Sequence, residues 1–214
     1  MARKVSRETV DPQSGALLAT ISRETINRLE AFVALLLRWN RTVNLVSRRD
    51  EGAVWHRHII DSLQLAPLIR PGHPRAIDLG SGAGFPGLVV ALATGIHFDL
   101  VEADQRKAAF LREALRVTGA PATIHALRAE AADLPPASLI TARALAPLPA
   151  LLPLAMRFLT PSGECLFSKG ADADAELTAA SRSWHMLVER LPSRTSRSAL
   201  ILRISEIRRA GLPD

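Results

Sequence analysis

Apolar side chains recur at three- and four-residue intervals through Ile26, Leu29, Val33, Leu36 and Leu37, behind Ser22 as an N-cap and Glu24 in the first turn. That spacing predicts an amphipathic helix running to about Asn40. After a polar joint from Asn44 to Glu51, a second helix is expected beyond Asp50. It carries Val54, His58, Asp61, Ser62 and Leu65 and stops at the stretch from Pro67 to Pro74. Residues 1–15 are polar and contain Pro12 and Gly15, so residues 1–20 are expected to form a flexible N-terminus.

Beyond Pro74 the period changes. Short apolar runs alternate with helical stretches, the rhythm of βαβ units around a mostly parallel sheet. Strands are predicted at Ala76–Leu79, Ile96–Val101, Ala122–Leu127, Leu139–Ala142 and Glu164–Phe167. Helices are predicted at Leu88–Thr94 and at Asp104–Thr118, the latter with Ala108, Leu111 and Leu115 inward, and near Leu151–Phe158. A short helix around Ala173–Ser181 and two strands, Trp184–Leu191 and Ala199–Ile204, would close the sheet with an antiparallel hairpin. The 214 residues suit one α/β domain with a modest appendage.

Charge sharpens this picture. The chain has 27 basic and 21 acidic residues, a net +6. The excess lies in the segments before residue 76 and after residue 181, while residues 76–170 hold eight of each sign. Basic flanks suit a partner that carries phosphates. Only Lys4, Lys107 and Lys169 are lysines; the arginine bias fits either forked phosphate contacts or a GC-rich genome. With no Tyr and 4% aromatic residues, stacked-ring platforms for single strands are not expected. The single Cys165 excludes a disulfide framework and a cysteine zinc site, and no metal is expected. No apolar run has the length of a signal-peptide core or a membrane span, so the expectation is a soluble cytoplasmic protein.

The most informative segment runs Asp78-Leu79-Gly80-Ser81-Gly82-Ala83-Gly84-Phe85-Pro86-Gly87, between a predicted strand and a predicted helix. Glycines there permit a tight turn and close approach of a ligand to the backbone, or they serve the turn alone. Glu102 ends the next strand, where a carboxylate can accept the hydroxyls of an adenosine ribose. The spacing Gly80-x-Gly82-x-Gly84 resembles the first motif of S-adenosylmethionine-dependent methyltransferases rather than a dinucleotide fingerprint.

Missing features narrow the acceptor. There is no Asn/Asp/Ser-Pro-Pro-aromatic loop for an exocyclic amine, and Asp133-Leu134-Pro135-Pro136 reads as a turn. Cys165, inside a predicted strand, reads as a buried thiol rather than a nucleophile for ring carbons. Arg143 stands where a metal-binding carboxylate cluster would be needed. The acceptors left include a ring nitrogen that already carries a lone pair and needs no general base.

Several stretches together make the resemblance specific: Trp39-Asn40 with Asn44-Leu45, Arg57-His58-Ile59-Ile60-Asp61-Ser62, Phe85-Pro86 in the glycine loop, Thr141-Ala142-Arg143-Ala144, and Lys169-Gly170. From about Leu29 the chain resembles the bacterial 16S ribosomal RNA methyltransferases that act at nitrogen 7 of guanine, also called glucose-inhibited division protein B. The resemblance implies an α/β, Rossmann-like methyltransferase fold with a mostly parallel seven-stranded sheet and an N-terminal helical cap. Residues 21–74 would be the cap and 75–214 the methyltransferase domain, as one structural unit. It implies S-adenosylmethionine as cofactor, 16S rRNA or the small ribosomal subunit as partner, and a monomer. It places Asp78, Gly80, Gly82, Gly84, Phe85 and Glu102 at the cofactor, with Ala129 and Glu130 at its adenine. Arg143 would lie near the methionyl end or the guanine, and Lys169 and His58 would join it in catalysis. Plainer readings stand beside these: Glu130 as a surface charge, Arg143 as a salt bridge, His58 and Asp61 as a hydrogen-bonded helix face. A methyltransferase of small molecules or proteins is the alternative function.

Overall fold

A computed structural model of the chain describes residues 12–211. Its strands are β1 (Arg75–Leu79), β2 (His97–Val101), β3 (Ala122–His125), β4 (Ala137–Arg143), β5 (Leu159–Lys169), β6 (Trp184–Pro192) and β7 (Leu200–Arg209). They form one sheet in the order β3-β2-β1-β4-β5-β7-β6. The first five are parallel, and β7 runs antiparallel between β5 and β6, which is the predicted closing hairpin. Alternate residues of each strand feed two apolar layers. Ala76, Leu139 and Leu166 enter one layer, Ile77, Ile140 and Cys165 the other.

The helices are α1 (Pro12–Ala19), α2 (Arg23–Trp39), α3 (Asp61–Leu63), α4 (Gly87–Thr94), α5 (Gln105–Thr118), α6 (Leu148–Met156) and α7 (Ala173–Ala180). Ser22 caps α2, its Oγ accepting the Thr25 N–H at 3.0 Å. Asp104 caps α5 by accepting the N–H groups of Arg106 and Lys107. Both α4 and α5 end on a left-handed glycine, Gly95 and Gly119. On one face of the sheet, Phe32 of α2 meets Phe85 at 5.6 Å between ring centroids and Phe110 of α5 at 6.0 Å. This aromatic contact joins the helices before residue 75 to the loop after β1.

Two local expectations are corrected. Within residues 1–20, Pro12–Ala19 is helical, because Leu17 is buried in the core despite the Pro and Gly around it; residues 1–11 lie outside the described residues. The second helix is not one α-helix. Residues Arg48–Ala53 wind as 3₁₀, Trp55–Ile60 as π, and only Asp61–Leu63 as α. Val54 and Ile59, five residues apart, are both buried, a spacing the wide π turn brings onto one face.

The chain crosses from one side of β1 to the other between β3 and β4. The carboxyl ends of the adjacent strands β1 and β4 therefore flank a topological switch point, the place where open α/β sheets bind ligands.

Phe32→Ala empties a fully enclosed position shared by α2, α5 and the loop after β1. Chemical denaturation should show a loss of about 3–5 kcal/mol; a loss under about 1 kcal/mol would show that this contact does not hold the elements together.

Candidate functional site

The loop leaving β1 turns through Gly80, Gly82 and Gly84, with φ of +68°, +56° and +91°. At Gly80 a Cβ would stand 2.6 Å from Leu145 Cδ1, so the loop after β4 lies directly on the loop after β1. At Gly82 a Cβ would meet nothing closer than 3.9 Å, so the backbone there is open to approach. Gly87, the first residue of α4, has no room for a Cβ, which would fall 2.6 Å from Asp78 Cβ.

Asp78 lies beneath this loop with no exposed surface. Its Oδ1 accepts the Thr141 hydroxyl of β4 at 2.6 Å, and its Oδ2 accepts the Gly87 N–H at 3.2 Å. Burial pushes its carboxyl up to about 6, against the pull of those hydrogen bonds. Both oxygens bond within the protein, so the structure gives Asp78 the position of a brace for the loop.

Glu102, at the end of β2, is 8% exposed. Its Oε2 accepts the Gly82 N–H at 2.7 Å and its Oε1 the Asp104 N–H at 2.8 Å. Each oxygen keeps a second lone pair, so the carboxylate can hold the loop and still accept hydroxyls. Ala129 and Glu130 follow β3 in a short 3₁₀ turn; Arg157 Nη1 donates to the carbonyls of both. The Glu130 side chain is exposed and pairs loosely with Arg128 at 3.5 Å, the geometry of a surface charge.

Arg143 is the hub of the other loop. Its Nη1 donates to Asp61 Oδ2 at 3.0 Å and to the Arg57 carbonyl at 3.3 Å, and its Nη2 to His58 Nδ1 at 2.9 Å. Its guanidinium carbon lies 5.1 Å from the centre of the Phe85 ring, on which His58 also stacks at 5.0 Å. A guanidinium only donates, so His58 Nδ1 must be the acceptor and its proton sits on Nε2, 3.7 Å from Asp50 Oδ2. Burial, aided by the Arg143 charge, holds the imidazole down to about 4 and thus neutral near pH 7. The salt-bridge reading of Arg143 is therefore present, whereas His58 and Asp61 do not bond each other as a helix face but meet through Arg143.

Lys169, at the end of β5, is buried, with Nζ 2.7 Å from both the Ala146 carbonyl and Glu176 Oε2. Burial pushes the Cys165 thiol well above its ordinary range, and it lies within β5 as predicted. Three further participants have no role in the sequence reading. Thr141 supports Asp78, Glu176 meets Lys169, and Thr195 donates to Asp61 Oδ1 at 2.5 Å across 134 positions. Only the Thr141-Ala142-Arg143-Ala144 stretch flagged one of them. Among the described residues no cluster of three or more metal-ligating side chains occurs, and no helix is long and apolar enough to cross a membrane.

An adenosyl ligand with a sulfonium fits this edge. The backbone is open at Gly82, Glu102 stands beside it, and the nearby Arg143 charge is met by Asp61. Residues 25–199 match the family described as rRNA small subunit methyltransferase G. The chain is 57% identical to a relative of that name from Rhodospirillum centenum, over 90% of this chain and 89% of the relative. A second, from Acidiphilium cryptum, is 54% identical over 98% and 96%. A solved O-methyltransferase from Bacillus cereus, in complex with SAH, shares the fold with a TM-score of 0.53 at 10% identity, covering 86% of this chain and 91% of that one.

The buried carboxyl of Asp78 gives a pH test. Its proton is held from about pH 6 in the folded chain but only from about 3.8 when unfolded. Between these values the folded state binds more protons, so stability falls as pH rises and the full cost is present above pH 6. Asp78→Asn lacks this titration. From pH 7 to pH 5 the wild type should gain about 1 kcal/mol relative to the variant in urea unfolding; a difference independent of pH would contradict the buried-carboxyl account.

Proposed function

Because the chain belongs to the family of rRNA small subunit methyltransferase G, we propose that its switch-point edge transfers a methyl group to nitrogen 7 of a guanine in 16S ribosomal RNA. The observation that carries this reading is the contact of the glycine loop with the Arg143 loop through Leu145 and Gly80, which sets a cofactor cradle and a second group of polar residues side by side. The methyl donor is S-adenosylmethionine, which supplies an electrophilic methyl on a sulfonium. Gly80, Gly82 and Gly84 let the backbone approach it, and Glu102 accepts its ribose hydroxyls while bonded to Gly82. Asp78 acts from beneath, by fixing Gly87 and β4 rather than by contact. Ala129 and Glu130 border the adenine through their backbone.

Nitrogen 7 carries its lone pair in the plane of the ring and loses no proton before it reacts. No general base is required, and orientation supplies most of the acceleration. Neutral His58 fits this, since its Nδ1 lone pair is engaged by Arg143. His58 and Asp61 aim the guanidinium, Phe85 supports both flat groups, and Lys169 stiffens the β4–α6 loop through the Ala146 carbonyl. On this reading one chain carries the whole site, acts as a monomer, and works in the cytoplasm on the RNA or the small subunit. The helices between residues 21 and 74 cap the methyltransferase domain by delivering His58 and Asp61 to it.

Incubation with labelled S-adenosylmethionine and either bare 16S rRNA or small subunits, followed by nucleoside mass spectrometry, should yield 7-methylguanosine at one position. Transfer to neither form would overturn the reading. Glu102→Ala should weaken S-adenosylmethionine binding by calorimetry about ten- to a hundredfold, the loss expected for hydrogen bonds to a charged group. Arg143→Ala should depress turnover far more than melting temperature; normal turnover with a lowered melting temperature would refute its role in the reaction.

A further inference from the structure

Beside the Arg143 loop, across Leu145 from the glycine loop, lies an open cleft of about 490 Å³ whose lining includes none of the glycine-loop residues. Its walls come from distant parts of the chain: Leu145 and Pro147 after β4, Ser168 and Lys169 at the end of β5, and Leu200 and Ile201 at the start of β7. Arg143 and Asp61 stand at the same rim. Apolar walls, a volume in the range of small-ligand pockets and a few polar groups suit a flat heterocycle. Leu145 separates the cleft from Gly80, so an occupant of the cleft lies next to the cofactor loop.

Glu176 and Asp61 bring carboxylates to the lining, where they meet Lys169 and Arg143, and these two cations keep donors beyond those pairs. Lys169 has three N–H bonds and two partners, Ala146 and Glu176. Arg143 has five, and its Nε and one Nη2 hydrogen have no partner among the described residues. The Ser168 hydroxyl is buried with no hydrogen-bond partner. A purine with an oxygen at position 6 offers such donors an acceptor beside nitrogen 7, whereas adenine presents an amine there. Donation to the neighbouring oxygen leaves the nitrogen 7 lone pair free.

We infer that this cleft receives the target base after it leaves its stack, and that the spare donors of Lys169 and Arg143 select guanine by its 6-oxygen. The inference rests on the guanine-methylation reading above and adds where the base sits and what recognises it. Enzymes that do chemistry on a base act on single-stranded substrate or turn the base out of its stack into a pocket. The β6–β7 turn closes the far side, held to the helical segment by Gln64, whose Oε1 accepts the Arg194 N–H at 2.8 Å.

The test uses the wild-type chain and RNA fragments carrying guanine, inosine or 2,6-diaminopurine at the methylated position. Inosine keeps the 6-oxygen and nitrogen 7, and should be methylated within a few-fold of guanine. 2,6-Diaminopurine puts an amine at position 6 and should fall about tenfold or more in kcat/KM, the discrimination expected of a well-placed base contact. Equal use of 2,6-diaminopurine and guanine would overturn the donor assignment. Leu200→Trp, which fills the cleft, tests the location. Methyl transfer should drop at least tenfold while S-adenosylmethionine affinity by calorimetry changes less than about threefold. Full transfer by that variant would overturn the location, whereas absence of any transfer to guanine by the wild type would instead defeat the proposed function.

Discussion

The ligand edge depends on a carboxylate that has nowhere to go. Asp78 is fully enclosed, and its two oxygens tie β1 to β4 through Thr141 and to the first turn of α4 through Gly87. An enclosed carboxylate without both partners would cost several kcal/mol, so these three elements are constrained to meet at one point. The functional loops inherit that constraint by chain geometry alone. The glycine turn begins two residues after Asp78, and Arg143 stands two residues after Thr141 on the same face of β4.

A second constraint follows from the chemistry of arginine. Because Arg143 can only donate, every group around it must accept, and this selects a neutral histidine, a carboxylate and a backbone carbonyl. The π-wound segment supplies His58 and the carbonyl of Arg57 from consecutive positions, and Asp61 follows at once. Asp61 in turn accepts from Gln64 and Thr195 on its other oxygen. The orientation of one guanidinium is therefore set by the helical segment and by the β6–β7 turn together, and neither could set it alone.

How far the residues reveal this depends on the range of the interaction. Strands β1, β2 and β4 follow from short continuous apolar runs, as befits strands buried on both faces, and helices α2 and α5 from a period of three to four, because burial leaves its mark on neighbouring positions. The glycine loop and Glu102 were legible for a similar reason: a tight turn demands glycine wherever it occurs. The winding of Trp55–Ile60 was not, since an apolar pattern at that length does not distinguish π from α. The bonds of Asp61 to Arg143 and Thr195, of Lys169 to Ala146 and of Gln64 to Arg194 span 23 to 134 residues, and each joins common polar groups whose role exists only once the sheet is assembled. Helix α1 was hidden by the opposite error, as local Pro and Gly signals yielded to the burial of Leu17.

The +6 balance takes on meaning through pairing rather than distance. A sulfonium would be repelled by a bare cation nearby, the more so where water is scarce. Yet the two cations at the switch point are each matched, Arg143 by Asp61 and Lys169 by Glu176, and Glu102 adds a carboxylate at the glycine loop. Pairing leaves their hydrogen-bond directions available while cancelling most of their field. Arg194 and Arg197, exposed in the β6–β7 turn just outside, keep their charge and can draw in phosphates. The same residue type thus does two jobs within a short span, and what separates them is whether a carboxylate stands within reach.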